Sequence, residues 1–135
     1  MNMNTKNVAN QFIEAINNHD VEALCGLMTE DHTFIDSGGD VYKGIESMRQ
    51  FWSGYFKMFP DYRIDAPEFV VSGDNIILLG KASGTCPVEG TLKPENHWEI
   101  PAAWKAIVAD DKVKHWQVFA DNAPVMEIMV KIQND

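Results

Sequence analysis

Apolar residues recur at helical spacing as far as Pro60 and then alternate with polar ones in strand-like runs. Val8, Phe12, Ala15 and Ile16 form one stripe, widened by Ala9 and Ile13, and Asn17-Asn18-His19 closes this helix. Asp20 is the expected N-cap of a second helix, with Val21, Leu24, Leu27 and Met28 on one face. Asp31 to Asp36 reads as a short strand that runs into the turn Ser37-Gly38-Gly39-Asp40. A third helix starts near Gly44, buries Ile45, Met48, Trp52, Tyr55, Phe56 and Phe59, and ends at Pro60. The rest reads as strands over 62–71, 76–85, 98–109 and 113–121, with turns at 72–75 and 110–111 and a loop at 89–96. Pro101 marks an interruption or bulge in the third of these strands. Strands joined by short turns pair antiparallel. The expected architecture is α+β: three N-terminal helices packed in the concave face of a curved antiparallel or mixed sheet, a cone with a pocket. Residues 1–135 fit one domain of this kind. The apolar tail from Val125 to Val130, with Met126 and Met129, is expected to cover a core or an interface.

Composition narrows the function. The chain is 45% hydrophobic and 23% charged, as folded globules are. Its 11 basic and 20 acidic residues leave a net charge of -9. No basic cluster exists that could hold a phosphate backbone or an anionic membrane, so neither nucleic acid nor membrane is an expected partner. Cys25 and Cys86 are expected to be free thiols. The polar start, Met1 to Asn7, lacks a signal peptide's apolar run, and a cytoplasmic location follows as the default. The apolar run Ile76 to Leu79 is expected to be a buried strand.

Two strands deliver an acid at their ends. Thr33-Phe34-Ile35-Asp36 runs into a glycine turn, and Trp116-Gln117-Val118-Phe119-Ala120-Asp121 follows an aromatic run from Trp98 to Trp104. A carboxylate dehydrated by aromatic walls can hold or move a proton near neutral pH. Asp121 and Asp36 are therefore the candidate acid/base groups. His97, on one strand face with Glu99, is a candidate general acid, but two ligands do not make a metal site, and no metal or cofactor is implied. Candidate ligand-binding residues are Phe34, Tyr42, Trp52, Tyr55, Phe56, Trp98, Trp104, Trp116 and Asn122. Strand parity raises one conflict: if Lys112 and Lys114 face outward, so does Trp116. Either Trp116 lies at a dimer contact or a bulge switches the face; a pocket-lining Trp116 with a bulge near Phe119-Ala120 is favoured, since it also turns Asp121 inward. No phosphate loop, nucleophile elbow or Cys-His pairing is present, so a covalent mechanism has no support.

Several segments together resemble the nuclear-transport-factor-2-like superfamily, in particular its SnoaL-like polyketide cyclase branch. They are Phe12 to Asp20, Asp31 to Asp36, Gly44-Ile45 with Phe51-Trp52, Phe59-Pro60-Asp61, and Trp116 to Asp121. The resemblance implies a cystatin-like cone fold and a homodimer formed through the outer face of the sheet. It does not imply one reaction, because the fold hosts enzymes of several kinds and non-catalytic binders. Asp121 matches the cyclases' acid/base aspartate, and Asp36 matches the general base of the ketosteroid isomerases. The isomerases' oxyanion donors are missing at the matching positions, where Phe12 and Ala103 stand. Arg49 and Arg63, the only arginines, do not fit an Asp-Arg-Asp epoxide hydrolase relay. The expected function is cofactor-independent acid/base chemistry (cyclisation, isomerisation or dehydration) on a small apolar carbonyl-bearing or cyclic compound. The alternative is a non-catalytic ligand-binding or protein-interaction module of the same fold.

Overall fold

The computed structural model describes residues 3–134. In chain order the elements are α1 (Met3–Asn17), α2 (Val21–Gly26), β1 (Met28–Ile35), β2 (Val41–Lys43), α3 (Ile45–Met58), β3 (Arg63–Ser72), β4 (Asn75–Thr85), β5 (His97–Ala109), β6 (Lys112–Ala120) and α4 (Ala123–Gln133). A 3-10 turn, Pro94–Asn96, precedes β5. The strands form one curved, mixed sheet in the order β2-β1-β6-β5-β4-β3, in which only β1 and β6 run parallel. The α+β architecture with helices against a curved sheet is as the sequence implies. No helix of the described residues is long and apolar enough to cross a membrane.

Local chemistry explains the element ends. The Asp20 side chain accepts from the Ala23 amide at 3.0 Å and caps α2. Helix α2 stops at Gly26, and Met28 opens β1 rather than extending the helix. Asp110 and Asp111 both take positive φ in the β5–β6 turn, a geometry Asp tolerates better than most residues. Pro101 neither bulges nor interrupts β5. It pairs with Lys81 of β4 and lies just beyond the last residue paired with β6, where an absent N–H costs no second ladder bond. Gly80 sits beneath the bulge in β3 between Asp65 and Glu68, and a Cβ there would lie 1.9 Å from the Asp65 carbonyl oxygen. The tail forms α4, with Val125 buried and Pro124 in its first turn, where a missing N–H is harmless.

The core lies between α1 and the concave face. Val8, Phe12 and Ile16 pack against the inward file of β5 and β6, where Trp104, Ala106 and Trp116 are fully buried. The Phe12 and Trp116 rings meet at 4.7 Å between centroids. The run Ile76 to Leu79 is not buried throughout. It alternates, with Ile76 and Leu78 inside and Ile77 and Leu79 on the outer face, because β4 is covered by helices on one side only.

Trp116 resolves its parity conflict differently from expectation. The bulge is at Lys114, since Ile107 pairs with His115 while Val108 pairs with Val113. The extra residue puts both Val113 and Trp116 inside and leaves Lys112 and Lys114 outside. The β1–β6 ladder is also broken between Met28 and Thr33. The His32 side chain occupies that gap, donating from Nδ1 to the Val113 carbonyl oxygen at 2.7 Å. Its Nε2 is buried with no partner, and burial holds the imidazole below its ordinary value of 6.5. The unfolded chain therefore takes up a proton through pH 6.5 that the folded chain refuses, so stability falls as pH drops below that point. The limiting slope is about 1.4 kcal/mol per pH unit. Urea unfolding at pH 7, 6 and 5 should show a steeper loss for the native chain than for His32→Gln, and equal slopes would refute this role.

Candidate functional site

The inward file of β5 is divided. Trp104, Ala106 and Val108 pack under α1, whereas Trp98, Ile100 and Ala102 face α3 across a cavity of about 400 Å³. The cavity exists because the sheet side is thin there: Ala82 of β4, Ala102 of β5 and Ala120 of β6 supply only methyl groups. Aromatic rings make most of the remaining wall, from Phe34 on β1, Phe51, Trp52 and Tyr55 on α3, Tyr62 before β3, and Trp98. These rings brace one another. Phe34 meets Phe51 at 4.8 Å and Trp52 at 5.7 Å, while Tyr55 meets Tyr62 edge-on at 4.9 Å. Trp98 lies against Gly84, where a Cβ would come within 2.9 Å of its ring, and packs edge-on to Phe59 at 5.2 Å.

The opposite end of the cavity is polar and more exposed, lined by Asp36, Ser37, Gly38, Asp40 and Asn122. Asp36 is two residues beyond Phe34 and shares its strand face. Its Oδ1 accepts from the Gly38 and Asp40 amides, each at 3.0 Å, which fixes the carboxylate in the turn. Its Oδ2 accepts only the long 3.3 Å bond from the Tyr42 hydroxyl. Burial and the neighbouring Asp36 charge raise the Tyr42 phenol, which therefore stays a neutral donor. Asn122 donates from Nδ2 to Ser37 Oγ and ties the end of β6 to the β1–β2 turn. Among the described residues no Lys, Arg or His lines the cavity.

Tyr55 and Tyr62 are the interior titratable groups. Burial pushes both phenols far up, and their hydroxyls interact with each other. They are protonated throughout the physiological range and can act only as neutral hydrogen-bond partners. The indole N–H of Trp52 is also buried and has no partner among the described residues, whereas that of Trp98 is directed at the Cys86 sulfur.

Not every candidate reaches this cavity. Phe34, Trp52, Tyr55, Trp98, Asn122 and Asp36 line it. Trp104 and Trp116 face inward but lie outside it, because α1 covers that half of β5 and β6. Phe56 stacks on His19 at 4.1 Å instead of facing the cavity. Tyr42 stands behind Asp36 as its donor and is not a wall residue. Asp121 was expected to turn inward and does not. With Trp116, Val118 and Ala120 inside, it falls on the outer parity, is exposed, and accepts from the Ala123 amide at 2.9 Å in the turn leading to α4. His97 is likewise outside the cavity, half-exposed, with Nδ1 3.0 Å from the Thr85 hydroxyl. That hydroxyl donates to Asp61 at 2.6 Å. Among the described residues no three His, Cys, Asp or Glu side chains converge as metal ligands.

Wall residues that the sequence analysis did not single out include Tyr62, Asp40, Ile100, Ala102, Val118 and Ala120. Alternation from Trp98 would have found Ile100 and Ala102. Nothing local to Tyr62 marks it, because its place depends on how the chain turns after Pro60.

Comparison with known proteins places this geometry. A family model described as the SnoaL-like domain matches residues 9–116. No functionally curated protein matches the sequence. Among solved structures, a protein described as a SnoaL-like polyketide cyclase from Shewanella denitrificans OS-217 superposes with a TM-score of 0.81 at 16% identity, covering 94% of this chain and 97% of its own. One so described from Jannaschia sp. CCS1 gives 0.77 at 19% identity, covering 98% and 93%. A protein with a ketosteroid isomerase-like fold from Catenulispora acidiphila DSM 44928, in complex with trimethylamine, gives 0.74 at 16% identity and covers 89% of each chain. At these identities the likeness is one of fold.

If the three alanines make the cavity, filling it should be tolerated by the fold and not by a ligand. Ala102→Leu is expected to leave stability unchanged or raise it by up to about 1 kcal/mol. It should also abolish quenching of tryptophan fluorescence by 2-tetralone, a small neutral probe. Undiminished quenching in the variant would place the ligand elsewhere.

Proposed function

The chain belongs to the SnoaL-like domain family, and from that premise we propose that its aromatic cavity carries out cofactor-independent acid/base chemistry on a small, apolar, carbonyl-bearing or cyclic compound. The observation that carries this reading is the presence in one cavity of a carboxylate and two protonated phenols, with aromatic walls between. Asp36 is the proposed base. Two backbone amides hold Oδ1, which leaves Oδ2, with its single long bond, as the atom able to take a proton. Tyr55 supplies a neutral donor for the oxygen on which charge develops, and Tyr62 supports it by donating its own O–H to the Tyr55 oxygen. They stand in for the donors missing at Phe12 and Ala103, and they come from α3 and the segment after it. A proton would pass from carbon to Asp36 Oδ2 and back to the same or a neighbouring atom, with the oxygen held by a phenol meanwhile. Such a cycle serves isomerisation, ring closure or loss of water. That the Catenulispora protein holds a small organic molecule supports a ligand-binding role for this fold.

Deuterium exchange tests the chemistry without knowing the natural substrate. Cyclic ketones headed by 2-tetralone, incubated in D₂O with the protein, should exchange protons next to the carbonyl at least 100-fold faster than in buffer. The gain should be lost in Asp36→Asn with binding retained, since Asn still accepts the two turn amides. Saturable binding with no exchange by the native protein would instead establish the non-catalytic module.

A homodimer is part of this proposal. The outer sheet face carries Val70, Ile77, Leu79, Ala103 and Phe119, and Leu79, Ala103 and Phe119 stand abreast on three adjacent strands. Phe119 is 50% exposed and Val70 61%, an apolar surface that a lone chain would leave in water. Sedimentation at micromolar concentration should show a dimer that Phe119→Glu converts to a folded monomer. A native chain that is wholly monomeric would contradict the arrangement.

A further inference from the structure

The cavity's polar chemistry is one-sided in charge. Its exposed end is lined by Asp36 and Asp40, and among the described residues no cationic side chain lines any part of it. Of the two basic residues on α3, Arg49 is engaged by Glu22 and Glu46, and Lys57, in the last turn, does not line the cavity. Directly beside Asp36 on the same strand face is Phe34, whose ring is clustered with Phe51 and Trp52. Ring faces carry negative potential, so they attract a cation that a carboxylate also attracts, and they attract it most when water is displaced. A carboxylate ligand would meet the opposite: two anions, aromatic walls and no counter-charge among the described residues.

We propose that the cavity selects ligands bearing an amine or ammonium group, with the cation held between the Asp36–Asp40 end and the Phe34–Phe51–Trp52 rings and the apolar body against Trp98 and the alanines. The inference rests on reading the cavity as a small-molecule site and names the ligand class that site takes. The net charge of -9 adds a long-range pull on cations, but that pull is spread over the surface and is screened by salt. Selection by the cavity is local, and substitution separates the two.

The test uses three probes with one carbon skeleton and different charge: 2-aminotetralin, a cation at pH 7; 2-tetralol, neutral; and tetralin-2-carboxylate, an anion. Each is titrated against the intact 135-residue chain by quenching of tryptophan fluorescence in 0.15 M salt. The amine should bind roughly ten-fold tighter than the alcohol, and the carboxylate weakest of the three. Asp36→Asn and Asp40→Asn should each reduce the amine's preference about three-fold or more. Asp121→Asn, which removes the same charge outside the cavity, should not. Near-UV circular dichroism checks that each variant keeps the native packing.

If the alcohol binds as tightly as the amine, charge selection is refuted and the small-molecule site stands. If the preference survives both cavity substitutions, or falls equally in Asp121→Asn, it comes from overall charge and the inference is refuted. If none of the three probes binds, the inference falls together with the reading of the cavity.

Discussion

One extra residue in β6 decides which side chains can meet a ligand. Side chains on a strand alternate, so a single insertion reverses every position beyond it. At Lys114 the insertion lets Val113 and Trp116 share the core although they are an odd number of residues apart. From Trp116 onward the file is then fixed: Val118 and Ala120 face the cavity, and Asp121 faces water. The same distortion leaves the Val113 carbonyl short of a partner from β1, and His32 supplies it. A polar group that is nearly all buried is thereby retained in an otherwise apolar layer, because the alternative is an orphaned carbonyl. The bulge, the buried histidine and the outward Asp121 are three consequences of one backbone event.

The architecture was legible in the sequence because periodicity is a local signal. The stripe of Val8, Phe12 and Ile16, the capping Asp20, the stop at Pro60 and the hairpin at Gly73 each report on a few neighbouring residues. The cavity was half legible. Phe34 and Asp36 follow from one strand's alternation, and Trp52 and Tyr55 from one helix face. Asp121 was misread because its direction depends on where a bulge falls, and no residue in Trp116 to Ala120 declares it. Lys114 gives no sign either, since a lysine outside looks the same in a regular strand and in a bulge. Trp104 and Trp116 were drawn into the site by size alone. Large aromatics serve core and pocket equally well, and only the placement of α1 over the second half of β5 separates the two uses.

Small residues shape the site more than large ones do. Trp98 keeps its position because Gly84 leaves room beneath it, and α3 remains clear of the sheet because Ala82, Ala102 and Ala120 do not reach it. A core of this size packs to near-crystalline density where it is free to. Three alanines on neighbouring strands, across the cavity from the rings of α3, forgo dispersion contacts that larger side chains would make. A site for a ligand gives that loss a reason, because a bound apolar body restores the contacts.

The two ends of the cavity then divide the work between binding and chemistry. Interior phenols that cannot ionise are poor bases but steady donors, and a carboxylate held by amides at one oxygen is a poor donor but a directed acceptor. Proton transfer needs both kinds of group and needs them on the same ligand. A binder needs only the walls. The distinction therefore lies in whether one molecule can span from Asp36 Oδ2 to the Tyr55–Tyr62 pair. The size of the cavity, about 400 Å³, is within the range that small organic ligands occupy. A compound long enough to reach from Asp36 to the phenols meets both kinds of group, whereas a small amine confined to the acidic end would touch the carboxylates and leave the phenols idle. Ligand length, more than ligand charge, is thus the property that separates turnover from mere occupancy in this fold.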